Sequence, residues 1–97
     1  MRVVPDEFSL DGNYPNPFRQ STKIAVSLPS DADVTLEVYD ALGRRVLRRE
    51  RTMAAGAGRP FEVGGASLAS GVYFYRVTAE AEDGGEHSQT GKMILVR

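Results

Sequence analysis

Ninety-seven residues, 41% of them hydrophobic and 26% charged, suffice for one packed domain and are too apolar for a disordered chain. A formal net charge of −1 provides no global field for nucleic acid or anionic lipid, so neither nucleic-acid binding nor membrane insertion is expected. There is no cysteine, which excludes disulfide staples and thiolate metal sites, and no stretch approaches the roughly eighteen apolar residues of a membrane-spanning helix.

The opening MRVVPDEF has no long apolar run and no small-residue cleavage site, so Met1 is expected to open a piece excised from a larger secreted protein. A first strand is expected around Glu7 to Leu10. NYPNPF, Asn13 to Phe18, then holds two prolines in six residues, which rules out a helix or a central strand and predicts a rigid turn. KIAVSL alternates Ile24, Val26 and Leu28 with Lys23, Ala25 and Ser27, the period of a half-buried strand. VTLEVY repeats it, with Val34, Leu36 and Val38 on one face. Asp40 to Gly43 has the composition of a type I turn, leading into a returning strand from Arg44 to Arg51. Val46 and Leu47 are its sole hydrophobes, so the charges suit a sheet edge.

MAAGAGRP is expected to break the chain before a short strand marked by Phe61 and Val63. GGASLASG reads as a crossing with Leu68 plugging the core, and at most a single 3₁₀ turn is expected there or at Ala54 to Gly58. VYFYRVTA, Val72 to Ala79, is a strand buried through Tyr73, Tyr75, Val77 and Ala79. A hairpin loop at Glu82 to Gly85 leads to a last strand from Ser88 to Val96. About seven short strands without a helix predict an all-β fold, an immunoglobulin-like sandwich of antiparallel strands occupying residues 1–97 as a single domain. GVYFY supports this separately, with Tyr73 in the place of a tyrosine corner and Tyr75 where such domains carry a cysteine; burying so large a ring is worth about 1.5–3 kcal/mol.

Catalysis is not expected, because His87 is the only histidine and has no nucleophilic motif around it. The acids Glu80, Glu82, Asp83 and Glu86 could offer oxygens to calcium but match no calcium loop, so a solvated acidic tip is preferred and no cofactor is expected. Asp31 and Asp33 are a weaker case of the same kind. Arg44, Arg45, Arg48, Arg49 and Arg51 could meet phosphate, but they suit better an edge strand paired with carboxylates. Tyr14, Phe18 and Tyr39, with Phe74, are the aromatics that could face a sugar or protein ligand, which keeps open an alternative reading: an accessory carbohydrate- or protein-binding module of a secreted enzyme.

Taken in order, NYPNPF, STKIAVSLP, LEVYDALGRRV, LASGVYFYRV and KMILVR resemble the C-terminal sorting domain of type IX secretion cargo proteins, across nearly the whole chain. Two departures stand out: Arg19-Gln20 replaces a second Asn-Pro turn, and Arg48, Arg49 and Glu50 stand where the family commonly has apolar residues. The resemblance implies an immunoglobulin-like sandwich, related in fold to the Ig-like part of flagellar hook-capping proteins, with no catalysis of its own. It implies a cargo domain attached in cis on the N-terminal side, passage through the periplasm, and recognition by the type IX outer-membrane translocon. A sortase-like cysteine peptidase that releases the cargo is a second implied partner, and the destination is the cell surface or the medium. On these motifs, Gly71 and Tyr73 match the glycine-x-tyrosine element, and Gly91, Lys92, Met93, Ile94, Leu95, Val96 and Arg97 match the terminal motif proposed for recognition. A monomer is expected, gripped along its last strand by strand addition, with Tyr14 and Phe18 capping one end of the sandwich.

Overall fold

The computed structural model describes residues 7–97 apart from Ala66 and Asp83. Its seven strands are β1 Ser9–Tyr14, β2 Ser21–Leu28, β3 Ala32–Tyr39, β4 Arg45–Met53, β5 Gly56–Gly64, β6 Gly71–Ala81 and β7 Glu86–Leu95. All ladders are antiparallel: β1-β2-β5 form one sheet and β4-β3-β6-β7 the other. The fold is the expected immunoglobulin-like sandwich, with its fourth strand paired to the third rather than added to the three-stranded sheet.

The core lies where period-two alternation put it. Ile24, Val26 and Leu28 of β2 face Val34, Leu36 and Val38 of β3 and Tyr73, Tyr75, Val77 and Ala79 of β6, all buried. Leu68 closes the crossing between β5 and β6, as expected of a plug. β4 takes the edge of the larger sheet, and of its two hydrophobes Leu47 is buried while Val46 sits exposed at a register shift.

The largest departures from the sequence expectation lie in β1 and at the start of β5. The first strand begins at Ser9 and runs to Tyr14, so Asn13 and Tyr14 belong to β1 and only the remainder of NYPNPF is a turn. Four of that strand's residues find partners on β2, which extends it past the point where its apolar pattern stops. The break after β4 shrinks to Ala54 and Ala55, because Gly56 to Pro60 pair with β2 as the start of β5. Pro60 is tolerated there because β5 is a sheet edge, and a register shift between Val26 and Leu28 accommodates the glycines. The acidic hairpin closes through Gly84 N–H to the Ala81 carbonyl at 3.0 Å and Ala81 N–H to Gly85 at 2.7 Å. Asp83 itself lies outside the described residues.

The β3–β4 hairpin is built by one carboxylate. Gly43 N–H donates to the Asp40 carbonyl at 3.0 Å, and Gly43, with φ +83°, takes the left-handed position that favours glycine. Asp40 accepts from the amides of Leu42 and Arg44, both at 2.9 Å, and from Arg44 Nε at 2.8 Å. The Arg44 amide above all, with the Arg44 guanidinium and the Leu42 amide, holds the carboxyl below its ordinary pKa despite some desolvation acting the other way. A group whose folded pKa is depressed stabilises the fold above its unfolded pKa, and that support fades as pH falls through the folded value. We therefore expect the Asp40 carboxyl carbon to titrate in NMR at lower pH than an unperturbed aspartate, and Arg44→Ala to move that midpoint upward.

Candidate functional site

The terminal strand β7 is held on both flanks, and each anchor traces to a particular residue. Toward the interior it pairs with β6 from Gly71↔Leu95 to Glu80↔Glu86 without a register shift, and Met93 and Leu95 are fully buried. Tyr75 is the Cα partner of Gly91, and a Cβ on Gly91 would lie 2.3 Å from its phenol oxygen and Cζ. Glycine is needed there because the tyrosine ring fills the space a side chain would use. Burial pushes the Tyr75 phenol pKa up, so it is neutral.

Tyr73 is the tyrosine corner in geometry as well as in sequence: its buried hydroxyl donates to the Ala69 carbonyl at 2.6 Å, tying β6 to the crossing before it. Removing that hydroxyl in Tyr73→Phe is expected to cost about 1 kcal/mol and, in a domain of this size, to lower the melting temperature by roughly 4–8 °C, read by calorimetry.

The outer flank of β7 is where the sequence reading missed a structural device. Asn16 sits between two cis X-Pro bonds, Tyr14-Pro15 and Asn16-Pro17. Its side chain imitates a strand backbone, with Oδ1 accepting from Ile94 N–H at 3.0 Å and Nδ2 donating to the Lys92 carbonyl at 3.4 Å. Phe18 continues the ladder in parallel sense, its N–H donating to the Ile94 carbonyl and its carbonyl accepting from Val96 N–H, both at 2.9 Å. Thr22 secures the loop from behind by donating to the Pro15 carbonyl at 2.8 Å and accepting from Asn13 Nδ2 at 3.1 Å. Further along, Gln89 joins β7 to the other sheet, accepting from Leu10 N–H and donating to the Phe8 carbonyl. Arg97 secures the chain just beyond the strand, its N–H donating to Ser70 Oγ at 3.0 Å and its guanidinium to the Gly65 carbonyl. An Asn-Pro step next to an aromatic was the signal available for this clamp, but its target lies 78 positions away.

With that geometry in view, three comparisons bear on the chain. The family profile described as "Secretion system C-terminal sorting domain" matches residues 13–95. The chain belongs to that family. It is a type IX sorting domain, the kind of module that directs an attached protein out to the cell surface or beyond, through interaction with the secretion machinery. The family is non-catalytic. Among solved structures, dimeric latent PorU from Porphyromonas gingivalis matches with TM-score 0.69 and 28% identity, over 97% of this chain and 10% of that one. The chain thus spans about a tenth of the length of that relative. CopC from Methylosinus trichosporium OB3b matches with TM-score 0.64 and 14% identity, over 92% of this chain and 93% of that one. A β-glucuronidase from Parabacteroides merdae matches with TM-score 0.54 and 14% identity, over 93% of this chain and 13% of that one. These last two share the fold alone. No curated protein matches.

The terminal motif of the sorting domain divides sharply by exposure. Tyr73, Met93 and Leu95 are inside, Gly91 accommodates Tyr75, and Ile94 is half-buried under the Asn16 clamp. Gly71, Lys92, Val96 and Arg97 remain on the surface. The aromatics proposed to face a ligand separate too. Phe18 is 1% exposed, packed beside Leu95 at Gly65, and cannot face a ligand; its backbone pairing with β7 draws it inward. Tyr39 donates its hydroxyl to Glu37 at 3.2 Å and lies under the Arg76 guanidinium. Tyr14, 83% exposed, stands in solvent rather than capping the sandwich with Phe18. These three form no shared platform for a sugar.

The arginine run is largely neutralised where it stands. Arg44 pairs with Asp40 at 2.8 Å, Arg45 with Glu37 at 3.2 Å, and Arg48 with Glu50. Arg49 donates to the Arg48 carbonyl, and Arg51 lies 5.0 Å over the Phe61 ring, covering the core's open side. Among the described residues, no group of three or more His, Cys, Asp or Glu is arranged to hold a metal. His87 stacks on Phe8 with ring centroids 5.9 Å apart, a packing contact where the chain enters the domain.

Proposed function

We propose that this domain is the C-terminal label of a larger exported protein, carried through the periplasm with its cargo in cis and read by the outer-membrane translocon while folded. On this reading a sortase-like cysteine peptidase is the partner that separates label from cargo, the domain itself catalyses nothing, and it acts as a monomer. The observation that carries the reading is the family match over residues 13–95, which includes β7 up to its final residue. The exposed members of the terminal motif, Lys92, Val96 and Arg97, are the ones a receptor can touch, and buried Tyr73, Met93 and Leu95 serve by holding them in place.

The test is a secreted reporter with an N-terminal signal peptide, expressed in a type IX host with and without residues 1–97 at its C-terminus. The expected result is surface or medium localisation of the tagged reporter alone; a tagged reporter that stays periplasmic overturns the reading. Truncation from Lys92 to Arg97 is a poor substitute. It removes Met93 and Leu95 from the core and empties the clamp made by Asn16 and Phe18, so it unfolds the label as well as deleting its tip.

A further inference from the structure

Four strands end a sheet: β1 and β5 in the smaller, β4 and β7 in the larger. The pairings of β1, β5 and β4 each contain a register shift, whereas β7 pairs over its whole length without one. Shifts and bulges spoil an edge as a template for another strand, so β7 is the one regular template of the four. Backbone groups along a strand turn alternately to either side. Because Ile94 turns its N–H and C=O outward to Asn16 and Phe18, the same groups of Ser88 and Thr90, and the N–H of Lys92, also face outward. Nothing among the described residues meets them, since the clamp covers the edge only from the Lys92 carbonyl to Val96.

Thr90 also walls a groove of about 310 Å³ on the outer face of the larger sheet, shared with Tyr39, Phe74 and Arg76. Phe74 is 47% exposed despite standing on a central strand. Lys92 is the Cα partner of Phe74, and Thr90 that of Arg76. Neither Lys92 nor Arg76 is ion-paired among the described residues, in contrast to Arg44, Arg45 and Arg48 nearby. One surface therefore combines an unsatisfied strand edge, an uncovered aromatic and two cations in no ion pair among the described residues, since Glu37, the Cα partner of Arg76, is engaged by Arg45 and Tyr39.

We propose that an extended acidic segment of a partner protein docks here, pairing with β7 at Ser88 to Lys92, laying an apolar side chain on Phe74 and setting carboxylates against Lys92 and Arg76. The occupant is an extended chain because outward N–H and C=O groups in a row are met in full only by another backbone. It is acidic because the rim carries uncompensated positive charge, and it carries an apolar residue because Phe74 is left to water. This rests on the reading that a partner recognises the folded domain, and it moves the grip from the chain's last residues, which Asn16 and Phe18 already cover, to the half of the strand before them.

The test uses the ¹⁵N-labelled 97-residue chain and a synthetic heptapeptide, Thr-Glu-Thr-Phe-Thr-Glu-Thr, whose alternate residues Glu, Phe and Glu fall on one face when extended. The expected result is saturable shift changes at the amides of Ser88, Thr90 and Lys92 and at Phe74. Thr90→Pro removes only an outward N–H at an edge, so it should leave the melting temperature within about 2 °C while weakening the peptide at least about tenfold. Phe74→Ser, and the peptide with lysine in place of glutamate, should each weaken binding by a similar factor. Absence of saturable change with the acidic peptide, or changes centred on β4 or β1, overturns the proposal. So does self-association of the peptide-free chain that Thr90→Pro abolishes, since a second copy would then own the edge. Delivery of cargo in cells is scored separately, so a domain that is exported yet ignores the peptide sinks this proposal and leaves the sorting reading intact.

Discussion

Replacing Phe18 with alanine is expected to destabilise the domain by about 3–5 kcal/mol, the range for emptying a fully buried aromatic site. Phe18 is 1% exposed, lies against Leu95, and sits within the backbone pairing that joins residues 16–18 to β7. Its removal opens a cavity at the end of the core and loosens the register of Asn16, whose side chain supplies two of the four hydrogen bonds to the outer flank of β7. Because a domain this small typically holds about 5–15 kcal/mol in total, the loss should shift the urea midpoint by a large fraction of its value. Asn16→Ala, which spares the ring, should cost less, about 1–2 kcal/mol. If chemical denaturation finds Phe18→Ala within about 1 kcal/mol of the parent chain, the pairing described here is wrong.

Gly91→Ala is expected to be the second large effect, at about 1–3 kcal/mol or somewhat more. The added methyl would stand 2.3 Å from the Tyr75 ring, far inside van der Waals contact, and the ring is packed in the core and cannot step aside. The cause is testable by a double-mutant cycle. Tyr75→Leu should be costly in the parent chain, yet in the Gly91→Ala background much of its cost should vanish, giving a favourable coupling of about 0.5–3 kcal/mol. Additive losses would mean that glycine is needed at 91 for another reason. The sequence motif that marks Gly91 thus records a packing requirement between neighbouring strands.

What could be read from the sequence and what could not follow from the range of the interactions. Alternation in Ile24, Val26 and Leu28, in Val34, Leu36 and Val38, and in Tyr73, Tyr75 and Val77 declares three central strands, because burial on one sheet face imposes period two locally. Leu68 as a plug, the charged edge strand and the Tyr73 corner were legible for the same reason, each being a short-range pattern with few physical solutions. β1 and the glycine-rich start of β5 extend beyond what their sequences declare, because they are edges with weak apolar patterning and their extent is decided by partners on β2. The sequence alone does not separate Phe18 from the aromatics that could meet a ligand, since nothing within ten residues of it reveals Leu95 as its neighbour. Asn16 was unreadable in a stronger sense: an asparagine beside proline predicts a turn, but that its amide doubles as a strand backbone depends wholly on where β7 passes.

If the folded label is read through the exposed part of its last strand, as proposed, a variant that folds normally but presents the wrong charge there should fail to deliver its cargo. Lys92→Glu reverses the charge of an exposed side chain that anchors nothing among the described residues and leaves Met93 and Leu95 buried, so its melting temperature should match the parent within a few degrees. A reporter carrying this folded variant is expected to accumulate in the periplasm, with surface delivery at least about tenfold below that of the parent label. Parent-level delivery of the charge-reversed variant would contradict it.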